Sequence, residues 1–201
     1  MKGLHARWGN QVQFVDVIVR QAHPGPHVPR HHHFDEKMQD AQAYQRIEGI
    51  PWPVLVDDLA GTVHQVYGSL ADPSYLIDSH GRVAFYNMWT NAPSLYQAID
   101  ALLAQGGHGV VNGGWDRHPH VGAAMTDGWR GLQRGLPQSF FDMELATPGS
   151  ASGAWLGHQL RPVLAPLTLR SEPLPEPVRI VLTLGVALGA LYLIQRVTRD
   201  A

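Results

Sequence analysis

The sequence predicts an α/β domain, then an irregular Pro/Gly-rich extension, and then one transmembrane helix at the C-terminus. Short β-branched runs alternate with helix-forming segments over residues 1–105. From 106 to 177 the chain is rich in Gly and Pro, which is typical of irregular structure and linkers. Residues 178–197 are apolar over a length sufficient to cross a bilayer, and residues 198–201 form a short tail.

The first 105 residues contain the elements of an α/β sandwich around a mixed sheet. The predicted elements are strands at 12–18 and 53–58, helices at 36–47, 60–70 and 93–107, and a hairpin at 74–87. Asp35 is the candidate N-cap of the first of these helices, and Gly106-Gly107 is the candidate stop signal of the last. The hairpin is expected to turn at Ser79-His80-Gly81.

Composition excludes several classes of function. With 201 residues and 44% hydrophobic content, the chain is able to form a packed core. A formal net charge of −2 provides no basic field for binding phosphates, so nucleic acid is not an expected partner. The absence of cysteine excludes disulfides, thiolate metal sites and thiol redox cycles within this chain.

Pro73, the segment SYLIDSHGRV that follows it, and the helix around Leu95–Leu103 resemble the second half of a thioredoxin-like redoxin. With VDVIVRQAHP near the start and PVLVDD further on, the chain is most similar to the iodothyronine deiodinase branch and its bacterial relatives. The resemblance covers roughly residues 4–104 and implies a truncated thioredoxin-like sandwich. It also implies that Pro73 follows a cis peptide bond.

The resemblance implies a site of which this chain keeps only a part. In that family a strand and a helix with the reactive cysteine or selenocysteine come first, and this chain begins in the back half of that helix. The family's Glu-Ala-His stretch matches Gln21-Ala22-His23, so His23 matches the functional histidine and an amide replaces the carboxylate beside it. Arg82 lies in the expected Gly-Arg turn, where a solvated hairpin residue is the favoured interpretation. We interpret Gln21, His23, Pro73 and Arg82 as a vestigial site that contains no catalytic residue.

Two explanations of the absent nucleophile stay open. The chain is a degenerate redoxin, or its true start lies upstream of Met1. The numbering from Met1 to Ala201 favours the first explanation.

Five histidines (His23, His27, His31, His32 and His33) follow the first predicted strand. Adjacent histidines in a loop rarely point at one centre, and the prolines among them exclude a helix there. An exposed, partly protonatable loop is the favoured interpretation. The alternatives are a divalent-metal site formed by His23, His27, His31 and His33, and a contact with an acidic partner surface.

The run IVLTLGVALGALYLIQ at 180–195 carries no charge, and Arg179 and Arg196 flank it. Twenty helical residues rise about 30 Å, the thickness of the hydrocarbon core, which favours a membrane span over a buried core helix. Gly185 and Gly189 share one helix face and predict close packing with another membrane helix. Because no signal peptide precedes the domain, we expect the domain on the cytoplasmic side.

The extension keeps large aromatic side chains although its composition is that of a linker; they are Trp115, Trp129, Phe140, Phe141 and Trp155. Short helices are expected at 120–134 and 152–165. Apolar side chains in such a region pack either over their own domain or against a larger membrane assembly or bilayer surface.

These observations favour a non-catalytic accessory or scaffold subunit of a respiratory or photosynthetic membrane complex. Its partners would be integral membrane subunits, reached through the C-terminal helix and the aromatic extension, and the lipid bilayer. No cofactor is expected. The alternatives are a membrane-anchored, deiodinase-like oxidoreductase whose nucleophile segment lies outside this numbering, and metal buffering by the histidine loop.

Overall fold

The computed structural model describes residues 1–21, 26, 30–113 and 121–199. It is 54% helical and contains few strands. The described helices are α1 (Lys2–Trp8), α2 (Phe34–Glu48), α3 (Thr62–Val66), α4 (Ala92–Ala104), α5 (Val121–Asp127), α6 (Trp129–Leu132), α7 (Gln138–Ala146), α8 (Ser150–Gln159), α9 (Arg161–Thr168) and α10 (Glu176–Arg199). The strands are β1 (Asp16–Ile18), β2 (Val54–Val56), β3 (Ser74–Ile77) and β4 (Val83–Asn87).

The four strands form two separate two-stranded sheets. β1 pairs with β2 in parallel, with Asp16 opposite Val54, and β3 pairs with β4 as the predicted antiparallel hairpin. Within the described ranges no strand pairing joins the two sheets. The predicted fold class, a truncated thioredoxin-like sandwich around one mixed sheet, is therefore wrong. β1 and β2 are only three residues long, and most of the chain is helical instead.

The core lies between α1, α4 and the β3–β4 hairpin. Its buried apolar side chains are Leu4, Trp8, Leu76, Ala84, Phe85, Leu95, Ala98, Ile99 and Leu102. Burying a side chain of this size contributes about 1.5–3 kcal/mol. The rings of Trp8 and Tyr96 meet edge-on at 4.8 Å, which fixes α1 against α4.

The ends of α2 and α4 follow from local sequence. Asn91 caps α4 by accepting a hydrogen bond of 3.0 Å from the backbone N–H of Ser94. At the other end, Gly106 and Gly107 have positive φ angles, and their N–H groups donate to the carbonyls of Leu103 and Leu102. The predicted stop signal of this helix is confirmed.

The N-cap of α2 differs from the prediction. The helix begins at Phe34, so Asp35 lies in the first turn and His33 occupies the cap position. The carboxylate of Glu36 accepts hydrogen bonds from the backbone N–H groups of His32 and His33. The carboxylate that satisfies the helix start is therefore Glu36, and the prediction of Asp35 as the cap was wrong.

The extension predicted to be irregular forms helices α5 to α9. Its small residues lie where helices cross: Gly153 and Gly157 of α8 pack directly on Met125 of α5. Pro162 lies in the first turn of α9, where its missing N–H costs no hydrogen bond. Gly153, Gly157 and Pro162 therefore lie at helix crossings and at a helix start, a role that composition alone does not distinguish from that of a linker.

The helical extension contacts the first part of the chain through an ion pair and a close approach of small residues. Arg134 donates to the Glu48 carboxylate at 2.8 Å. Gly3 of α1 lies so close to Ser171 that an added Cβ would be 2.7 Å from the Ser171 hydroxyl oxygen. These contacts place the C-terminal helices beside α1 and the end of α2.

The predicted membrane span at 178–197 is not supported. α10 is 24 residues long, but it carries Glu176, Arg179, Arg196 and Arg199 within its ends. Of the helices in the described ranges, none combines sufficient length with sufficient apolar character to cross a bilayer. The predicted location, that of a single-pass membrane protein with a cytoplasmic domain, depended on that span. This prediction is therefore not supported either. The helix also continues into the predicted tail, to Arg199.

Replacement of Gly157 by alanine is expected to destabilise the helical extension strongly. An added Cβ would lie 2.3 Å from the backbone oxygen of Met125, so α8 and α5 would have to separate. We expect the free energy of unfolding to fall by about 2–4 kcal/mol, measured by urea denaturation.

Gly131→Ala is the matched control, because an added Cβ there meets no atom within 4 Å. Alanine has the higher helix propensity, so we expect stability to be unchanged or to rise by up to about 1 kcal/mol. Equal losses in the two variants would contradict the close α5–α8 crossing.

Candidate functional site

Two of the four residues interpreted as a vestigial site, Pro73 and Arg82, lie apart. Pro73 precedes β3 and Arg82 follows its far end, so the two are separated by the length of a four-residue strand, roughly 13 Å. The Asp72–Pro73 bond is trans, and among the described residues the cis peptide bond is Leu136–Pro137. The prediction of a cis bond before Pro73 is therefore wrong.

The other members of that set have local roles or lie outside the described residues. His23 lies outside them. The Gln21 side-chain oxygen is buried and has no hydrogen-bond donor among the residues the structure describes. Arg82 is exposed, and its backbone N–H donates to the Asp78 carboxylate at 2.9 Å, as expected of a hairpin-turn residue.

Of the four proposed histidine ligands, the two that the structure describes do not point at a common centre. His23 and His27 lie outside the described residues. His31 is bonded through Nε2 to the Asp40 carboxylate at 2.7 Å, and His33 occupies the N-cap of α2. Over ranges 1–21, 30–113 and 121–199, no three His, Asp or Glu side chains are arranged to hold a metal ion.

The predicted packing face of α10 has no partner in the described part of the chain. A Cβ added to Gly185 or to Gly189 would meet no atom within 4 Å. Both glycines are exposed. The predicted packing at Gly185 and Gly189 was against a helix of another protein, and it stays a prediction.

A buried polar cluster lies at the carboxyl end of β2, and its central side chain is Lys37. This lysine is only 2% exposed. Its ammonium group donates to the backbone carbonyls of Asp57 and Asp58 at 2.9 and 3.1 Å. Burial lowers the pKa of Lys37, and the neighbouring Asp57 and Asp58 carboxylates oppose that shift. Lys37 thereby connects α2 to the turn between β2 and α3.

The carboxylate of Asp57, which is 3% exposed, forms the N-terminal cap of α3. It accepts backbone N–H bonds of 2.9 Å from Asp58, Val63 and His64. Burial raises the pKa of Asp57, but the three N–H donors outweigh burial and leave the pKa below its usual value. The Asp57 carboxylate thus binds the N-terminus of α3 and also interacts with the ammonium group of Lys37.

Asp58 completes the cap from the exposed side. Its carboxylate accepts from the Thr62 hydroxyl at 2.5 Å and from the Thr62 backbone N–H at 3.0 Å. These hydrogen bonds lower the pKa of Asp58, and the bond from the Thr62 hydroxyl has the largest effect. His64 is buried, and its Nε2 lies 2.9 Å from the carbonyl of Leu70, to which it donates. The cluster is hydrogen-bonded throughout, and Lys37, Asp57 and His64 are buried, so its role is structural.

An exposed row of apolar side chains lies on the helical extension. Leu156, Leu160, Val163 and Leu167 lie at i, i+4, i+7 and i+11 along α8 and α9, which we call the α8–α9 stripe. All four side chains are exposed, Val163 by 70%. The two helices are nearly continuous, because Leu160 donates its N–H to Leu156 and accepts from Val163 and Leu164.

A groove of about 550 Å³ adjoins the stripe at Leu156. Its lining residues are Trp129, Phe140, Ser152, Trp155 and Leu156. The rings of Trp129 and Phe140 meet edge-on at 6.4 Å. The stripe and the groove share Leu156, so together they form one continuous apolar surface of the kind that contacts another protein.

Comparisons with known proteins found no matching family model, no matching curated protein and no matching solved structure. The function is therefore inferred from the residues themselves.

Sequence reasoning identified part of this surface and missed the polar cluster. The predicted helix at 152–165 contains Trp155, Leu156 and Leu160. Nothing in the sequence indicated that Lys37 is buried, because a lysine in a helix with many polar residues is normally exposed. Asp57 and Asp58 follow a short strand and precede a helix, and that position was the one available indication of a capping role.

Lys37→Met is expected to lower the free energy of unfolding by about 2–4 kcal/mol. Methionine keeps the apolar stem, but it leaves the Asp57 carbonyl and the buried Asp57 carboxylate without the ammonium group. The measurement is urea denaturation at neutral pH. Arg46→Met, an exposed position on the same helix, is the control and should change stability by less than about 0.5 kcal/mol.

The Asp57 carboxylate is expected to make stability fall in acid. Its folded pKa lies below the unfolded value of 3.8, so it stabilises the fold above that value and loses this effect as the pH falls through the folded pKa. Asp57→Asn should therefore be less stable than wild type at neutral pH, and the difference should shrink below about pH 4. Urea denaturation of wild type and of Asp57→Asn, at several pH values from neutral to acid, measures the difference in their free energies of unfolding.

Asp100→Asn at an exposed position is the matched control for that pH series. Its stability difference from wild type should stay small and nearly constant with pH. A difference for Asp57→Asn that stays the same from neutral to acid pH would contradict the capping role of the charge.

Proposed function

We propose that this protein is a non-catalytic accessory subunit that binds another protein through the α8–α9 stripe and the adjoining groove. The observation that carries the proposal is the exposure of Leu156, Leu160, Val163 and Leu167 in helical register. A continuous row of aliphatic side chains is unfavourable in water. It becomes favourable when a partner covers it.

The arrangement of polar groups supports binding rather than catalysis. The groups with shifted pKa values at the end of β2, Lys37 and Asp57, are buried and hydrogen-bonded to the backbone, as expected of structural groups. The chain contains no cysteine, so it provides no thiolate for redox chemistry.

The shape and chemistry of the surface indicate the partner. Anchors at i, i+4, i+7 and i+11 fit the helix-in-groove mode, in which one helix presents an apolar row to an apolar cleft. Trp155 beside the row is 48% exposed and supplies the large aromatic side chain that often dominates binding energy. We expect the partner surface to be apolar at its centre and polar at its rim.

Val163→Glu tests the proposal, with Val66→Glu as its matched control. Both positions are exposed valines, 70% and 78% respectively, and Val66 lies at the end of α3, outside the α8–α9 stripe. A glutamate at Val163 would place a charge at the centre of the proposed interface, and an unpaired buried charge costs several kcal/mol. The same change at Val66 leaves the stripe unaltered.

The measurement is the size of the native complex that contains each variant, by size separation of gentle cell extracts. Wild type and Val66→Glu are expected in a complex larger than the 22.1 kDa chain, and Val163→Glu as the free chain. Thermal unfolding of each purified variant controls for folding. Free chain in all three cases, or an equal loss of complex in both variants, would contradict the proposal.

A further inference from the structure

Two histidines that are distant in the sequence face each other on the surface. His80 lies in the β3–β4 turn and His108 in the segment after α4. Their ring centroids are 5.4 Å apart, with 35° between the ring planes. Both side chains are exposed. No sequence pattern indicates this pair, because the two residues belong to different turns.

The two turns are held together by hydrogen bonds beneath the rings. The Ser79 N–H donates to the Gly107 carbonyl at 2.9 Å, and the Gly109 N–H donates to the Asp78 carboxylate at 3.1 Å. The other oxygen of the buried Asp78 carboxylate accepts the N–H groups of His80 and Arg82. Asp78 therefore fixes both turns, and with them the spacing of the histidine pair.

One ring is also oriented by its own turn. Nδ1 of His108 lies 3.2 Å from the carbonyl of Gly106, and a carbonyl only accepts, so Nδ1 is the nitrogen that carries the proton. In neutral imidazole this leaves a lone pair on Nε2. Metal-binding histidines typically donate their second ring nitrogen to a backbone carbonyl in this manner.

The spacing of the rings suits a shared metal ion. With metal–nitrogen bonds of about 2.0–2.1 Å and an angle near the tetrahedral value, the centroids of two imidazole ligands lie roughly 5 Å apart. We propose that His80 and His108 bind one divalent cation of the class that prefers imidazole, namely Zn²⁺, Ni²⁺ or Cu²⁺.

Asp78 is a positioning residue in this site and not a ligand, because both its oxygens already bond to backbone N–H groups. Two protein ligands leave the remaining coordination positions to water or to a donor from another molecule. The bound ion is therefore exchangeable, and its site is distinct from the histidine loop that the sequence indicated.

The test is a titration of the full ¹⁵N-labelled chain with Ni²⁺, observed as paramagnetic broadening of backbone amides. Substoichiometric Ni²⁺ should broaden the amides of residues 78–82 and 106–109 together. His80→Ala and His108→Ala should each weaken binding at this site by about 10-fold or more, since either change removes one of two ligands. Zn²⁺ titration calorimetry should show one site fewer in each variant.

His31→Ala is the matched control, because His31 is bonded to Asp40 and belongs to neither of the two turns. Binding at the proposed site should be unchanged in this variant. Broadening of only one of the two turns, or equal affinity in wild type and His80→Ala, would overturn the proposal. Amide spectra of each variant without metal establish that the fold is intact.

Discussion

The ammonium group of Lys37 is the contact on which the first part of the fold depends. It brings α2, the end of β2 and the start of α3 to one point, where it donates to the carbonyls of Asp57 and Asp58. The Asp57 carboxylate caps α3 beside it. Because α3 has only five residues and β2 only three, neither is stable by its own hydrogen bonds, and the buried charges define where each begins or ends.

Burial is distributed unevenly along the chain, and this distribution determines where the protein is able to bind. The core between α1, α4 and the hairpin is closed, and the charged cluster beside it is hydrogen-bonded. The helical extension is packed on one side only, through small residues such as Gly153 and Gly157. Its other side keeps the α8–α9 stripe in water. Covering the α8–α9 stripe would therefore contribute favourable free energy.

Local patterns were sufficient for the elements whose signals lie within a few residues. The β3–β4 hairpin, the helix stop at Gly106-Gly107 and the helix that contains Leu95–Leu103 were all predicted, because turn residues and helical spacing act locally. α1 and α7 were not predicted. α1 has few apolar residues, and Leu4 and Trp8 contribute to the core only through their contact with α4 and the hairpin.

Composition was misleading where Gly and Pro serve tertiary contacts. In the extension these residues indicated irregular structure, yet Gly157 permits α8 to cross α5, and Pro162 lies in the first turn of α9. The apolar run at 180–195 indicated a membrane span that the described helices do not support. Of the candidate surface, Trp155 and Leu156 were identified from the sequence, whereas the groove with Trp129 and Phe140 required the packing of three helices.

The sequence by itself determined the absence of thiol chemistry, the weak net charge and the hairpin, since each depends on residue identity or on neighbours in the chain. Only the tertiary structure decided that Lys37 is buried, that the aliphatic row on α8 and α9 stays exposed, and that His80 meets His108. These features depend on residues far apart in the chain. Their spacing is set by how whole helices and turns pack, and no local pattern records it.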